Sequence, residues 1–454
     1  MSDCVAVFDL GKTNMKVVVF DAAGAVVAER SAPNAPLAPN ATWPYLRLDT
    51  ARAWSFLVGA LRELATQFPI EAISISAHGA AGVLVTDECD ALPAVDYEFD
   101  IDRDIAAEYD KVRPPFEETL SPNLPRGLNL GRQVYYLQRR FRAEFNAARA
   151  FLAYPQYWAW RLSGVAATEF TSMGSHTDLW RPYEGRLSSL VEKFGWRRLF
   201  PTLRKAWETL GPLKPEVAAA TGLKPNVRVI CGAHDSNASL VPHLMSRRDP
   251  FTVISTGTWV IIMAVGGKAC LDPEADMLAN VDVRGVPVPT ARFMGGREFA
   301  ILAGETPADA DEADVAAMVA SGVMALPAFT DQGGPFGARK GRIEGPAPET
   351  PETRTALAAL YAALVTAHVL KRLEAPGDLI VEGGFTRSPA FAAILAGLMP
   401  GRRVVIAPAS AGAAAGAALL AHWGEPHPAP RLEPARAWVL PGLEAYRERW
   451  ERAL

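Results

Sequence analysis

The sequence predicts an α/β protein built from two duplicated domains that face each other across a cleft. A β-hairpin around a small polar turn occupies residues 5–20, and the same order of strand, polar turn and strand returns at residues 251–265. Apolar strand-like runs alternate with stretches of helical spacing, which is typical of α/β domains. The length of 454 residues also exceeds what one hydrophobic core usually supports.

We expect domain boundaries near residues 240 and 425. The first domain covers 1–240, the second covers 241–425, and residues 426–454 form a Pro-rich tail with a terminal helix. The polar turns of two facing domains would meet across the cleft, which is a usual place for a ligand.

The composition indicates a globular protein of the cytoplasm. A net charge of −4 gives no electrostatic case for a nucleic-acid or membrane partner. The four cysteines lie far apart and form no C-x-x-C pair, as expected of reduced thiols. We see no secretory signal, and no apolar run approaches the roughly 20 residues of a membrane span.

The first polar turn combines close backbone approach, hydroxyl and amide donors and two positive charges, which together suit a nucleotide phosphate tail. Its candidate residues are Gly11, Lys12, Thr13, Asn14 and Lys16. Asp9 lies at the exit of the preceding strand, where a hard cation such as Mg²⁺ could be held. The alternative is a plain hairpin in which Gly11 and Asn14 only complete the turn.

The rest of the first half provides candidate sugar-binding residues between regular elements. The spacing predicts helix 50–68, strand 70–76, strand 82–85, helix 133–149, helix 154–162 and strand 227–232. His78 and Gly79 follow strand 70–76, and His78 could hydrogen-bond a polyol or be a structural residue. His176 and Asp178 lie in a polar loop that could bind sugar, with loop capping as the alternative.

Asp235 is the candidate catalytic base. It follows strand 227–232 and enters a predicted helix N-terminus, where the helix dipole favours the ionised carboxylate. Phosphoryl transfer to an alcohol needs positioning, charge neutralisation and one carboxylate that accepts the hydroxyl proton. The alternative is that Asp235 only caps the helix. Its position between two phosphate-type turns favours the catalytic role.

The second half repeats these features. Its polar turn offers Thr256, Gly257 and Thr258, and a further strand ends at Gly383 and Gly384. These glycines would allow a purine to approach the backbone closely. Ser388 followed by Pro389 predicts a helix start. A helix over 409–421 places Gly412 and Gly416 on one nearly flat face.

At these residues the chain resembles the FGGY carbohydrate kinases, which are ATP-dependent sugar kinases of the actin-like (ribonuclease H-like) fold. Residues 9–16 resemble the first phosphate motif, in which the aspartate acts at the metal and the last cation contacts phosphate. Residues 232–235 resemble the motif of the catalytic base, and residues 255–259 resemble the second phosphate motif. Residues 382–388, which include Arg387, and residues 410–416 resemble the adenosine-binding segments of the family.

The loop 171–180 is similar to the branch of this family that acts on deoxy-ketoses, the fuculose and rhamnulose kinases. The sequence departs from the family pattern in four places. Lys12 stands where a small residue is usual, and residues 127–135 match the family signature only loosely. Ala81 stands where that branch places a substrate-binding aspartate, and His78 replaces an aromatic residue. The sugar is therefore not identified by the resemblance.

The resemblance implies ATP-dependent phosphorylation of a hydroxyl of a small ketose or polyol, with a deoxy-ketose as one candidate. ATP and Mg²⁺ are the expected cofactors, with Asp9 and Asp235 at the metal. The expected sugar-binding residues are His78, Gly79, His176, Asp178, His234 and Asp235. A homodimer is left open.

The alternative function is a non-metabolic actin-like ATPase, acting as a filament former or a nucleotide-switched binding module. It would share the paired phosphate turns but would need no sugar pocket. A degenerate kinase kept as a sugar sensor is disfavoured because Asp9 and Asp235 are both present.

Overall fold

The computed structural model describes residues 3–331, 333–337, 339–407 and 412–454. The strands, in chain order, are β1 (Cys4–Leu10), β2 (Asn14–Phe20), β3 (Val26–Pro33), β4 (Ile70–Ala77), β5 (Gly82–Val85), β6 (Asp90–Leu92), β7 (Ala150–Ala153), β8 (Thr168–Glu169), β9 (Trp180–Arg181), β10 (Arg186–Leu187), β11 (Leu203–Arg204), β12 (Thr209–Pro212), β13 (Arg228–Ile230), β14 (Ala233–His234), β15 (Phe251–Thr256), β16 (Val260–Val265), β17 (Met277–Val281), β18 (Pro287–Phe293), β19 (Met324–Leu326), β20 (Arg342–Glu344), β21 (Asp378–Gly383), β22 (Val404–Ile406) and β23 (Glu433–Pro434).

The α-helices, in chain order, are α1 (Thr50–Ala65), α2 (Arg103–Asp110), α3 (Phe116–Thr119), α4 (Leu130–Arg140), α5 (Arg142–Ala147), α6 (Tyr154–Ser163), α7 (Phe170–Met173), α8 (Ser189–Lys193), α9 (Pro215–Thr221), α10 (Asp235–Ala238), α11 (Val241–Ser246), α12 (Gly295–Ala303), α13 (Glu312–Ser321), α14 (Pro351–Arg372), α15 (Pro389–Leu398), α16 (Ala413–Leu420) and α17 (Leu443–Ala453). Short 3₁₀ helices lie at Trp196–Leu199, Pro273–Ala275 and Gly384–Arg387.

Two compact units form from non-contiguous parts of the chain. The first consists of the described residues of Met1–Ser246, Ala279–Pro287 and Ala411–Ala429. The second consists of those of Arg247–Leu278, Val288–Ser410 and Pro430–Leu454. The expected division into 1–240, 241–425 and 426–454 stays a prediction.

The main sheet of the first unit has the strand order β12-β13-β4-β1-β2-β3, and β14 also pairs with β4. β1 is antiparallel to β2 and parallel to β4. Because helices cover both faces of a parallel pair, these strands are apolar almost throughout. Phe8 is fully buried and meets Trp158 of α6 edge to face at 5.2 Å.

The second unit contains the same arrangement of a hairpin and a parallel strand. Its sheet includes the order β18-β16-β15-β21-β22-β23, with β15 antiparallel to β16 and parallel to β21. The repeat predicted from the two hairpins is therefore present. The core of this unit surrounds α14, which begins with a capping box between Thr350 and Thr353.

One helix among the described residues, α14, is long and apolar enough to cross a membrane by length and composition alone. The expectation that no apolar run approaches this length was wrong. The structure buries 83% of its most apolar 18-residue window inside the protein. A core helix of a folded domain passes the same test of length and composition.

The predicted helix 133–149 is two helices, α4 and α5, which are separated at Phe141. The backbone of Phe141 leaves the helical region, with φ −130° and ψ 59°. Its ring packs against Trp43 at 5.4 Å and Tyr45 at 5.6 Å. These tertiary aromatic contacts accompany the break, and the local periodicity does not show them.

The helix predicted over 409–421 is observed as α16, and residues 408–411 lie outside the described part of the chain. α16 packs on the first unit. A Cβ atom at Gly416 would lie 1.8 Å from the Ala238 carbonyl oxygen. Close backbone packing therefore explains Gly416.

We predict that Gly416→Ala lowers the free energy of unfolding by at least ~2 kcal/mol, because the new methyl group displaces the backbone of α10. The matched control is Gly59→Ala in α1, where a Cβ atom would meet nothing within 4 Å. Since alanine is the better helix former, this control should gain about 0.5–1 kcal/mol. Urea denaturation of both variants measures the difference, and equal effects would contradict this packing.

Candidate active site

Three parallel strand ends assemble the candidate site in the first unit. β1 and β14 both pair in parallel with β4, so that Asp9 lies opposite Ser76 and His234 lies opposite Ala77. The backbone N–H of His78 donates to the Leu10 carbonyl at 3.0 Å. Since parallel strands end at the same edge of a sheet, segments more than 200 residues apart in sequence meet here.

Asp9 is the carboxylate at the end of β1. Burial raises the pKa of Asp9 to about 6, and the charge of Asp235 acts in the same direction. The Ser76 hydroxyl and the Lys16 ammonium oppose this rise. Two carboxylates that repel each other in a partly buried place are suited to share a divalent cation.

Asp235 follows β14 and begins the single turn of α10. Its Oδ1 atom accepts hydrogen bonds from the Ser236 N–H at 2.6 Å and from Ser236 Oγ at 3.3 Å, and His234 Nε2 lies 3.1 Å from it. Within the described residues, no donor reaches Oδ2. The Asp235 side chain is 31% exposed. One carboxylate oxygen is thus fixed by the protein, and the other is open to an incoming group.

The His234 ring is held beside Asp235 by buried polar groups. Its Nδ1 atom lies 2.9 Å from Asn237 Nδ2 and 3.0 Å from Ser175 Oγ, whose hydrogen goes to Asn280 Oδ1 at 2.9 Å. Burial lowers the pKa of His234, which favours the neutral ring. These contacts keep Nε2 3.1 Å from Asp235 Oδ1.

Gly79 makes room for the His234 ring. A Cβ atom at this position would lie 2.6 Å from His234 Nε2. Any side chain here would push the imidazole away from Asp235. The structure thus gives Gly79 a role in placing the candidate base.

His78 presents an unpaired acceptor near the same edge. Its Nδ1 atom donates to the Gly79 carbonyl at 2.9 Å, so Nε2 has a lone pair and no hydrogen. Nε2 is buried and has no hydrogen-bond partner among the described residues, and the side chain is 7% exposed. Burial lowers the pKa of His78, which keeps the ring neutral. An unpaired buried acceptor is costly unless a ligand hydroxyl donates to it.

The two lysines of the first turn are both paired with carboxylates. The Lys12 ammonium contacts both oxygens of Asp96 and lies 3.3 Å from Glu98 Oε2. The Lys16 ammonium lies 3.0 Å from Glu29 Oε1. The hydroxyl and amide groups of the turn remain accessible, because Thr13 and Asn14 are exposed.

The polar loop 171–178 is built into the scaffold. Asp178 is fully buried and accepts hydrogen bonds from Tyr109 Oη at 2.7 Å and from Arg113 Nη2 at 2.8 Å. His176 Nδ1 donates to the Leu128 carbonyl at 3.0 Å. Both residues have positive φ angles, 43° for His176 and 64° for Asp178. The structure therefore uses Asp178 to hold the loop, and sugar binding by these residues stays a prediction.

Glu169 is connected to the backbone of His234 through Thr171. Its carboxylate caps α7 by accepting from the backbone N–H groups of Thr171 and Ser172 at 2.9 and 3.0 Å. Thr171 Oγ1 donates to Glu169 at 2.7 Å and accepts from the His234 N–H at 3.0 Å. Burial raises the pKa of Glu169 to about 7, although these hydrogen bonds oppose the rise.

In the second unit the predicted nucleotide residues gather at the ends of β15 and β21. Thr256 pairs with Gly383, and Thr256 Oγ1 donates to the Glu382 carbonyl and accepts from the Phe385 N–H at 2.9 Å. A Cβ atom at Gly383 would lie 2.1 Å from the Thr256 carbonyl, so strand packing requires this glycine. The exposed members of the set are Gly257, Thr258, Gly383, Gly384 and Arg387. A Cβ atom at Gly412, in the first unit, would meet nothing within 4 Å.

Sequence reasoning missed several residues of the site, namely Ser175, Asn237, Asn280, Asp96, Tyr97 and Glu98. Asn237 lies three residues after His234 at a helix start, which is a local signal for a side-chain contact. The others act through tertiary contacts that no sequence spacing shows. Among the described residues, no group of three or more His, Cys, Asp or Glu side chains is placed to hold a metal ion.

Two units that each join a hairpin to a parallel strand define the two-domain actin-like (ribonuclease H-like) fold. A family model described as the FGGY family of carbohydrate kinases, N-terminal domain, matches residues 4–242. A second, described as carbohydrate kinase FGGY, C-terminal domain, matches residues 248–429. The chain therefore belongs to the FGGY family of carbohydrate kinases.

A crystal structure of a carbohydrate kinase from Novosphingobium aromaticivorans is 36% identical, with a TM-score of 0.90, and covers 99% of this chain and 98% of that chain. L-fuculokinase from Salmonella typhi is 25% identical over 272 residues, which are 59% of this chain and 57% of the relative. Rhamnulokinase from Halalkalibacterium halodurans is 26% identical over 132 residues, which are 29% of this chain and 27% of the relative. The chain thus spans little more than half the length of the fuculokinase that it matches. The predicted resemblance to the fuculose and rhamnulose branch is confirmed.

We predict that the buried Glu169 carboxyl makes stability depend on pH. Its pKa of about 7 in the folded protein exceeds its value in the unfolded chain, so the folded state keeps a proton that the unfolded state releases. The free energy of unfolding should therefore fall as pH rises from about 5 to about 8. Relative to Glu169→Gln, wild type should lose ~2–3 kcal/mol over this range.

Urea denaturation of both proteins at the two pH values measures this difference. The control is Glu88→Gln, because Glu88 is exposed. Its stability difference from wild type should be the same at both pH values. A wild-type protein that gains stability relative to Glu169→Gln as pH rises would contradict the prediction.

Proposed function

We propose that this protein transfers the terminal phosphoryl group of ATP to a hydroxyl of a small sugar or polyol. The observation that supports this function best is the difference between the two carboxylate oxygens of Asp235. Oδ1 accepts two hydrogen bonds from Ser236 and lies 3.1 Å from His234 Nε2, whereas no donor among the described residues reaches Oδ2. An oriented, ionised carboxylate with one free oxygen is what a base for an alcohol requires.

Asp9 and Asp235 would hold Mg²⁺. Mg²⁺ in proteins is usually bound by one or two carboxylates together with phosphate oxygens and water. The raised pKa of Asp9, caused by burial and by Asp235, fits a place where a cation belongs. When bound, Mg²⁺ neutralises charge on the phosphate chain. Asp235 would then accept the proton of the sugar hydroxyl as the oxygen–phosphorus bond forms.

ATP would be bound through the polar turns of both units. In the first turn, Gly11, Thr13 and Asn14 offer a close backbone and exposed donors, and Gly257 and Thr258 do so in the second. The Gly383–Arg387 segment and Gly412 are the proposed neighbours of the adenosine. Membership of the FGGY family supports the use of ATP.

The acceptor would be a neutral ketose or polyol that donates a hydroxyl hydrogen to His78 Nε2. A deoxy-ketose is favoured because relatives of this chain are named L-fuculokinase and rhamnulokinase. Among the described residues, Cys4, Cys89, Cys231 and Cys270 form no disulfide bond. This state fits the reducing cytoplasm, which we propose as the location.

We predict that Asp235→Asn lowers kcat by about 10²–10⁴-fold, because the amide keeps the contacts of Oδ1 but cannot accept the hydroxyl proton. KM for ATP should change by less than about threefold, since Asp9 and the polar turns would still hold Mg²⁺ and the nucleotide. Coupled assay of ADP release with pentuloses, deoxy-hexuloses and tetritols measures both quantities.

Asp87→Asn is the matched control, because the Asp87 side chain is 83% exposed and lies outside the site. Its turnover should equal that of wild type. Turnover of Asp235→Asn within about tenfold of wild type would remove Asp235 from its role. If ADP release by wild type does not depend on any acceptor and instead rises with protein concentration, the actin-like ATPase is favoured.

A further inference from the structure

Lys12 forms a partly buried ion pair with Asp96 within the first unit. Its ammonium contacts both carboxylate oxygens of Asp96 and lies 3.3 Å from Glu98 Oε2. The Asp96 side chain is fully buried, and the Lys12 side chain is 19% exposed. The charge of Lys12 is therefore neutralised by residues 96–98 and is not left open to bind phosphate.

Tyr97 joins this ion pair to His78. The Lys12 ammonium is 4.6 Å from the centre of the Tyr97 ring, and the His78 and Tyr97 ring centres lie 5.7 Å apart with the rings nearly perpendicular. Lys12 and Asp96 also act electrostatically on the pKa of His78, which burial lowers. We call Lys12, Asp96, Tyr97 and His78 the acceptor wall.

The charges around the acceptor wall are predominantly negative. Lys12 supplies one positive charge, whereas Asp96 and Glu98, which both lie against its ammonium, each supply a negative one. A ligand carboxylate would meet repulsion here, because Lys12, the cation of this cluster, is already paired. A hydroxyl, in contrast, can donate to His78 Nε2 and accept from the Lys12 ammonium.

We propose that the Lys12–Asp96 pair determines substrate specificity, by offering Lys12 to neutral hydroxyls while Asp96 cancels the charge that would attract a sugar acid. This inference rests on the proposed function. It moves Lys12 from the phosphate-binding set, where the composition of the first polar turn places it, to the sugar-binding set. Removal of the negative charge at Asp96 should then release Lys12 as a cation for a carboxylate.

The test compares neutral acceptors with the acids of equal chain length in the full-length protein. The pairs are a pentulose with a pentonate, a deoxy-hexulose with a deoxy-hexonate and a tetritol with a tetronate. For wild type, kcat/KM for the neutral member should exceed that for the acid by at least about 100-fold.

In Asp96→Asn this preference should shrink by about tenfold or more, which corresponds to ~1.4 kcal/mol. KM for ATP should stay within about threefold of wild type, because the pair does not bind phosphate. An unchanged preference together with a raised KM for ATP would show that Lys12 is a phosphate ligand, and would overturn the proposal.

Glu98→Gln is a second variant, and because the Glu98 side chain is 48% exposed, this substitution should not disturb folding. It should shift the preference in the same direction by a smaller factor, and Asp87→Asn should not shift it. Urea midpoints identify a variant that fails to fold, and if Asp96→Asn does so, Glu98→Gln decides. An unchanged preference in folded Glu98→Gln would then overturn the proposal.

The outcomes for wild type separate this inference from the proposed function. Absence of acceptor-dependent ADP release with all six compounds would reject the sugar-kinase function itself. Acceptor-dependent turnover of wild type with the same preference in both variants would reject only the role of the Lys12–Asp96 pair.

Discussion

The candidate site depends on the parallel pairing of β1 and β14 with β4. This register places Asp9, His78 and Asp235 at one edge of the sheet, although 226 residues separate the first from the last. A slip by one residue would turn every side chain of a strand to the opposite face. The fully buried apolar residues of β1 and β4, such as Phe8 and Ile75, oppose such a slip, and so core packing maintains the geometry of the polar site.

Behind this edge, buried polar groups form an ordered chain of support. Glu169 accepts from Thr171, Thr171 accepts from the backbone N–H of His234, and Asn237 contacts the His234 ring that lies beside Asp235. Burial of each of these polar side chains costs desolvation free energy, and apolar side chains of similar volume could make the folded protein as stable. The residues instead leave one oxygen of Asp235 fixed and the other open. Asp235 begins a helical turn and still offers a free oxygen, and its role as the base stays a prediction.

The sequence predicted the elements whose signals are local. The hairpins around residues 5–20 and 251–265 and the helix that begins at Ser388–Pro389 are present because alternation, turn residues and caps act over a few positions. Tertiary contacts decided what was missed. Phe141 interrupts a predicted helix where its ring packs against Trp43. Asp178 forms an ion pair with Arg113, which lies 65 residues away in the sequence. The pairing of Lys12 with Asp96 likewise joins residues 84 apart, which no spacing rule connects.

The most direct test is a crystal structure of the full chain with Mg²⁺, a non-hydrolysable ATP analogue and the acceptor that gives the highest turnover. We expect one hydroxyl of the acceptor within hydrogen-bond distance of Asp235 Oδ2, a second donating to His78 Nε2, and the metal beside Asp9. An acceptor bound away from Asp235, or an Asp235 whose Oδ2 is turned into the protein by a new donor, would contradict the assignment of this carboxylate as the base.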